Sequence, residues 1–167
     1  MKLLLTGCTG FVGRELIPSL IKEGHSLTII TRQSIGKLKG LANNQNIKAI
    51  QMNPADSLSW NQEEIQNSLK NCEGVINLAG EPIAEKRWTE NHCKEIKNSR
   101  IETTKNLIEN LSNLKKPPKV LINASAIGFY GSHPQNEFTE ESIAGDDFLA
   151  NLCKEWESIT SNKPRAT

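Results

Sequence analysis

Three glycines near the amino terminus constrain the fold of this chain more than any other feature. Gly7, Gly10 and Gly13 follow the apolar run 3–5 in the spacing G-x-x-G-x-x-G, and an amphipathic segment comes directly after them. A strand, a glycine turn and a helix in that order are typical of a unit that binds a dinucleotide pyrophosphate. A Gly-rich turn without a ligand is the alternative, because a glycine triplet alone is weak evidence. The position between strand and helix favours dinucleotide binding.

Each glycine has its own predicted role. Gly7 would allow a sharp turn off the strand, Gly10 would let the backbone approach a pyrophosphate, and Gly13 would let the helix pack closely. The N–H groups of Phe11 and Val12 would face the phosphates at the positive end of the helix. The predicted phosphate-binding residues are Gly7, Thr9, Gly10, Phe11, Val12 and Gly13.

Strand and helix patterns alternate along the rest of the chain. Predicted strands cover 2–6, 26–31, 47–52, 74–78 and 119–123. Predicted helices cover 11–22, 61–69, 92–114 and 146–159, and Pro18 is expected to kink the first of them. Repeated strand–helix–strand order, with β-branched strands that do not alternate regularly between apolar and polar residues, predicts an α/β fold. We expect a Rossmann-type, doubly wound parallel sheet with helices on both faces.

The length of 167 residues fits one domain, 1–167. A doubly wound dinucleotide-binding sheet has strand order 3-2-1-4-5-6, and the segment 161–167 has the composition of a linker toward the place of the sixth strand. We therefore expect a sheet truncated before its C-terminal strands, in the first part of a longer protein.

Composition excludes several classes of partner. The net charge of +1 gives no reason to expect nucleic acid, and no apolar stretch approaches the ~20 residues that cross a bilayer. The four cysteines are scattered, with no histidine at ligand spacing, so we predict no metal site and no disulfide framework. Free thiols suit the cytoplasm. A small-molecule substrate is the expected partner, and the composition leaves the oligomeric state open.

The end of the second predicted strand indicates which dinucleotide binds. An acid at this position usually binds the ribose 2′-hydroxyl of NAD, whereas this chain has Thr31 and Arg32. An arginine suits the 2′-phosphate of NADP. An exposed arginine after a strand is also common, but beside the glycine loop it favours NADP as the cofactor.

Two further strand ends carry candidate site residues. Leu78, Ala79 and Gly80 follow the fourth strand and are predicted to form the wall beside the cofactor, although the segment alone would predict only a turn. Ser125 lies at the tip of the fifth strand, where it could hydrogen-bond a substrate carbonyl or hydroxyl. Serine is common at strand ends. Tyr130, five residues later, is the one tyrosine of the chain.

The motif Thr6-Gly7-x-x-Gly10-Phe11-x-Gly13 resembles the extended short-chain dehydrogenase/reductase superfamily, which includes nucleotide-sugar epimerases. The chain is more closely similar to an atypical, epimerase-like branch of it, over essentially the whole length. The segments that carry this resemblance are 77–83 (Asn-Leu-Ala-Gly-Glu-Pro-Ile), 87–89 (Arg-Trp-Thr), 99–100 (Ser-Arg), 125–131, 145–150 (Gly-Asp-Asp-Phe-Leu-Ala) and 156–157 (Trp-Glu).

The resemblance implies an NADP-binding Rossmann domain, followed in full-length members by a substrate-binding region that lies outside this chain. It implies cofactor contacts by the glycine loop, by the pair 31–32 and by the pair 78–79. It also implies that Glu95 and Arg100 on the long helix face the cofactor. Solvated helix charge is the alternative for these two residues.

The chain departs from the superfamily in its acid/base chemistry. Most members carry Tyr-x-x-x-Lys on the helix after the fifth strand, where this chain has Phe148 and Leu152. Neither side chain can exchange a proton. Ser125 and Tyr130 are the predicted catalytic residues, and His133 and Glu81 are the other titratable candidates near the strand tips.

Two functions follow from these observations. The first is an NADP-dependent oxidoreductase or epimerase-like enzyme acting on a small, or nucleotide-sugar, substrate. The second is a regulatory protein that binds NADP without turnover, in keeping with the cell-division-inhibitor label of some cyanobacterial and chloroplast members of the branch. The missing Tyr-x-x-x-Lys pair favours the second function, and the segment from Ser125 to Tyr130 favours the first.

Overall fold

A computed structural model describes residues 1–38, 41, 44–133, 135 and 137–161. Its five strands form one parallel sheet in the order β3-β2-β1-β4-β5, which confirms the predicted doubly wound topology. The strands are β1 (Lys2–Thr6), β2 (Ser26–Thr31), β3 (Ile47–Gln51), β4 (Gly74–Asn77) and β5 (Val120–Asn123). The predicted linker residues 162–167 lie outside the described residues.

Four α-helices cover the sheet, and two of them begin later than predicted. They are α1 (Phe11–Lys22), α2 (Glu63–Asn71), α3 (Glu90–Ser112) and α4 (Phe148–Thr160). The helix α4 begins two residues after the predicted start because the side chain of Asp147 caps it, accepting a hydrogen bond from Ala150 N. The start predicted for α2 falls at the end of a short 3₁₀ helix, Ser57–Asn61. Pro18 lies inside α1, which continues past it as one helix.

The two faces of the sheet carry separate cores, as alternating side-chain direction in a strand requires. On one face Leu4, Ile30 and Val75 pack against α2 and α3, around the fully buried Trp60. On the other face Leu5 and the strand residues beside it pack against α1. A third cluster joins α3 to α4. Among the described residues, no helix combines the length and the apolarity needed to span a membrane.

Buried hydrogen bonds tie three neighbouring strand ends together. The Thr6 hydroxyl donates to Asn77 Oδ1, and Asn77 Nδ2 donates to Asn123 Oδ1 at 2.6 Å and to Thr104 Oγ1 at 3.0 Å. Thr104 on α3 also accepts from the Trp156 indole of α4 at 2.7 Å. Because buried polar groups are costly unless paired, this network fixes the relative positions of β1, β4 and β5 at their carboxyl ends.

Candidate functional site

A cleft of about 680 Å³ opens at the carboxyl ends of β1, β2 and β4. This is the edge of a doubly wound sheet at which ligands bind, where the strand order reverses between β1 and β4. Eight of the predicted cofactor residues line it, namely Gly7, Thr9, Gly10, Thr31, Arg32, Ala79, Gly80 and Glu95.

The glycine loop has the geometry that the sequence predicts at its two outer glycines. Gly7 has φ +68°, and a Cβ there would lie 2.4 Å from the backbone of Leu78 and Ala79. At Gly13 a Cβ would lie 1.8 Å from the carbonyl oxygen of Cys8, so only glycine lets α1 pack this closely. Gly10 differs, since the nearest atom to its Cβ position is 3.5 Å away and the residue faces the cleft.

The amino-terminal end of α1 is suited to an anion. It has neither a side-chain cap nor an acidic residue in its first turn, whereas Thr89 caps α3 and Asp147 caps α4. Free N–H groups and the helix dipole at such an end attract phosphate. The side chains of Phe11 and Val12 point to solvent, 92% and 59% exposed, so these two residues could contribute only their backbone.

Arg32 stands at the mouth of the cleft in an ion pair across it. Its Nη2 lies 3.1 Å from Glu81 Oε2, and Lys86 Nζ lies 3.0 Å from the other oxygen of the same carboxylate. The Arg32 side chain is 60% exposed and that of Glu81 only 14%. The hydrogen bond from Lys86, and then the one from Arg32, hold the pKa of Glu81 below its usual range. Glu81 is therefore an anion fixed between two cations.

The same corner of the cleft groups three potential metal ligands. Single ligand atoms of Glu81, His92 and Glu95 lie within 4.8 Å of one another. Lys86 Nζ lies 3.0 Å from the Glu81 carboxylate and 3.5 Å from that of Glu95. Because this ammonium already pairs with both carboxylates, we assign no metal to these residues.

Arg100 lies behind the wall of the cleft. Its guanidinium stacks 5.4 Å from the ring centre of Trp156 and donates to the carbonyl oxygens of Glu81 at 3.0 Å and Ile96 at 3.1 Å. A Cβ at Gly80 would meet the guanidinium at 2.8 Å. Burial lowers the pKa of Arg100. The contacts of Arg100 hold the loop after β4, and direct contact with a cofactor stays a prediction, as it does for Leu78 and Gly13.

The two predicted catalytic residues lie outside this cleft. Ser125 lines a second cavity of about 590 Å³ between the tip of β5 and α4, where its hydroxyl donates to the carboxylate of Glu157. The ring of Tyr130 stacks on Phe138, with centroids 5.2 Å apart and planes 13° apart. Their catalytic roles stay predictions.

The structure shows the surroundings of the two residues that stand where the superfamily carries its acid/base pair. Leu152, at the place of the superfamily lysine, is 4% exposed and packs with Ile96, Ile101 and Trp156 between α3 and α4. Phe148, at the place of the tyrosine, makes an edge-on contact with Trp88 at 5.7 Å. Both positions serve apolar packing.

Several residues that line the cleft escaped the sequence analysis. The segment 53–55 follows β3, Lys86 lies in the loop after β4, and Lys94, Asn98, Ser99 and Thr103 lie on α3. A usable signal existed for 53–55, because the carboxyl ends of parallel strands meet at one edge. The α3 residues repeat at helical spacing beside Glu95, but a polar helical stripe is also typical of a solvated face.

Comparison with known proteins establishes the family. The model of the NAD-dependent epimerase/dehydratase family matches residues 3–151. The chain belongs to this family. The resemblance to epimerase-like short-chain dehydrogenases is thereby confirmed at the level of family and fold.

Curated relatives of this epimerase/dehydratase chain are about twice as long as it is. The chloroplastic epimerase family protein SDR39U1 homolog of Arabidopsis thaliana is 34% identical over 98% of this chain and 46% of its own length. The human epimerase family protein SDR39U1 is 31% identical over 95% of this chain and 48% of its own length. The chain thus spans about half the length of these relatives, and their names give no support to a cell-division role.

Solved structures of family members have the same fold. The human epimerase family protein SDR39U1, crystallised with NADPH, superimposes with a TM-score of 0.73 at 31% identity, over 95% of this chain and 48% of that one. A nucleoside-diphosphate sugar epimerase from Corynebacterium glutamicum gives a TM-score of 0.71 at 31% identity, over 97% of this chain and 30% of that one.

Proposed function

We propose that this chain is the NADP-binding domain of an epimerase- or oxidoreductase-type enzyme that acts on a small, or nucleotide-sugar, substrate. The observation that carries the proposal is one cleft with two anion-binding features, the uncapped start of α1 and the guanidinium of Arg32. A dinucleotide with a 2′-phosphate has anionic groups for both. The human relative crystallised with NADPH supports the choice of cofactor.

The residues present fit this cofactor. The backbone at Gly10 would approach the pyrophosphate, since no side chain fills that space and its nearest neighbour is 3.5 Å from a Cβ position. Arg32 would bind the 2′-phosphate through donors that its ion pair leaves free, because a guanidinium carries five. The nicotinamide ring, when bound, supplies a site for hydride transfer.

Of the two contacts predicted for Ser125, with a substrate carbonyl or with a substrate hydroxyl, its hydrogen bond to Glu157 favours the hydroxyl. Its hydroxyl proton is donated to Glu157, so its oxygen is left to accept a hydrogen bond and cannot at the same time polarise a carbonyl. A substrate hydroxyl could donate to Ser125 and pass a proton through it toward Glu157. Tyr130 would supply the remaining phenol near the tip of β5.

The experiment has two stages. Titration with NADPH, followed by nicotinamide fluorescence, tests whether the purified protein binds the cofactor. Oxidation of bound NADPH in the presence of carbonyl compounds, or conversion of a nucleotide sugar, then tests turnover. If a substrate is found, Tyr130→Phe should lower the rate by at least about 10²-fold, and an unchanged rate would exclude the phenol.

A regulatory protein that binds NADP without turnover is the second candidate. The burial of Leu152 among apolar side chains favours it, because no lysine-like group is available at that position to assist proton transfer. Binding of NADPH with no oxidation by any carbonyl or nucleotide-sugar substrate would support this candidate over the enzyme. The proposed cytoplasmic location is the same for both.

A further inference from the structure

We propose that Glu81 limits the preference for NADP over NAD by restraining Arg32. The inference rests on the proposed binding of a dinucleotide in this cleft. It assigns to Glu81 a role in cofactor specificity, in which its carboxylate weakens the binding of a 2′-phosphate and favours a 2′-hydroxyl.

The position of Glu81 is fixed by its backbone as well as by its side chain. Its N–H donates to Ser99 Oγ at 2.8 Å, and its carbonyl accepts from Arg100 at 3.0 Å. Its carboxylate reaches Arg32 at 3.1 Å from the neighbouring side of the cleft. These contacts tie the backbone of Glu81 to two residues of α3 and so keep its carboxylate within reach of Arg32.

The charges of the side chains around Arg32 determine how strongly a 2′-phosphate would bind there. Arg32 and Lys86 carry one positive charge each and Glu81 one negative charge, so the three side chains together carry +1. A 2′-phosphate that binds Arg32 has to share the guanidinium with the carboxylate and lies close to a like charge. Glu95 lies 3.5 Å from Lys86, so with its carboxylate the group is neutral, and glutamine at position 81 would keep the shape and raise that charge to +1.

NADH, which has a 2′-hydroxyl in place of the 2′-phosphate, would interact with the same side chains in another way. A carboxylate at the ribose end of the cleft can accept a hydrogen bond from a 2′-hydroxyl, the contact that an acid makes in NAD-preferring sites. Removal of the Glu81 charge would therefore help NADPH and give no help to NADH. This opposite response separates a specificity role from a general effect on the fold.

The test is a comparison of dissociation constants for NADPH and NADH in wild-type protein, E81Q and a matched control. Glu64→Gln is the control, because Glu64 forms an ion pair of similar length, 3.1 Å to Lys48, and neither residue lines the cleft. We expect E81Q to bind NADPH about three to ten times more tightly, with NADH unchanged or weaker and E64Q like wild type. In an Arg32→Gln background, E81Q should tighten NADPH by a smaller factor.

Two outcomes would overturn the inference, and they are distinguishable. If wild-type protein binds NADPH but E81Q binds it no better, or changes both cofactors alike, Glu81 has no specificity role and the proposed function stands. If wild-type protein binds neither dinucleotide, the proposed function fails and this inference fails with it.

Discussion

The hydroxyl of Ser125 donates a hydrogen bond to the carboxylate of Glu157, linking the tip of β5 to α4. This contact is polar and exposed, whereas the contacts between α3 and α4 are mainly apolar. In the proposed enzyme, Ser125 would accept the proton of a substrate hydroxyl while its own proton passes to the Glu157 carboxylate. This proposed route would not require Tyr-x-x-x-Lys.

We expect Ser125→Ala and Glu157→Gln each to lower turnover by at least about 10²-fold, because each variant interrupts the same proton path. Steady-state kinetics with an identified substrate measures this, and NADPH affinity should stay unchanged because neither residue lines the first cleft. Glu155→Gln is a control on the same helix, since Glu155 forms an ion pair with Lys97 and lines neither cavity. Full activity in both site variants would place the chemistry elsewhere.

The glycine loop gives a second prediction. Gly10→Val should abolish NADPH binding while the fold survives, because the new side chain projects toward the cleft and not into backbone. Gly36→Val is the control, since nothing lies within 4 Å of its Cβ position and it is not among the residues that line the cleft. Fluorescence titration and thermal unfolding measure the two properties. Normal NADPH binding by the Gly10 variant would show that Gly10 forms a turn and does not contact the cofactor.

A third prediction concerns the place of the missing lysine. Leu152→Lys should destabilise the protein by at least about 3 kcal/mol, because the ammonium would be buried among apolar side chains without a partner. Leu152→Met should cost less than about 1.5 kcal/mol, since volume and polarity are nearly kept. Denaturant unfolding compares the two. A lysine variant as stable as the methionine variant would show that the position is open to solvent.

The sheet was predictable because β1, β2 and β4 are largely buried strands without regular polar alternation, which is typical of a parallel sheet covered on both faces. The turn at Gly7 was also predictable, because its backbone conformation is one that few residues other than glycine adopt, and a glycine directly after a strand therefore indicates it. Helix starts were less predictable. The cap of Asp147 on α4 was missed because a local hydrogen bond, and not hydrophobic spacing, determines where that helix begins.

The candidate site was predictable only in part, because its pairings join residues far apart in sequence. Arg32 and Glu81 were both singled out, but nothing in the order of residues brings them together. The same holds for Ser125 and Glu157. Arg100 shows the opposite difficulty, because the family resemblance implied a cofactor contact while its guanidinium packs on Trp156 behind the cleft. The direction in which the Arg100 side chain points depends on how α3 packs against α4, and the sequence alone does not show this packing.

The most direct test of the account is calorimetric titration of the purified protein with NADPH and NADH, repeated with Arg32→Gln. We predict that wild-type protein binds NADPH at least about tenfold more tightly than NADH, because the 2′-phosphate gains a charge-assisted contact with Arg32. The variant should lose about 1–3 kcal/mol of NADPH binding and little of NADH binding. Equal affinity of the wild-type protein for both cofactors, or an Arg32 variant that retains the preference, would contradict the account.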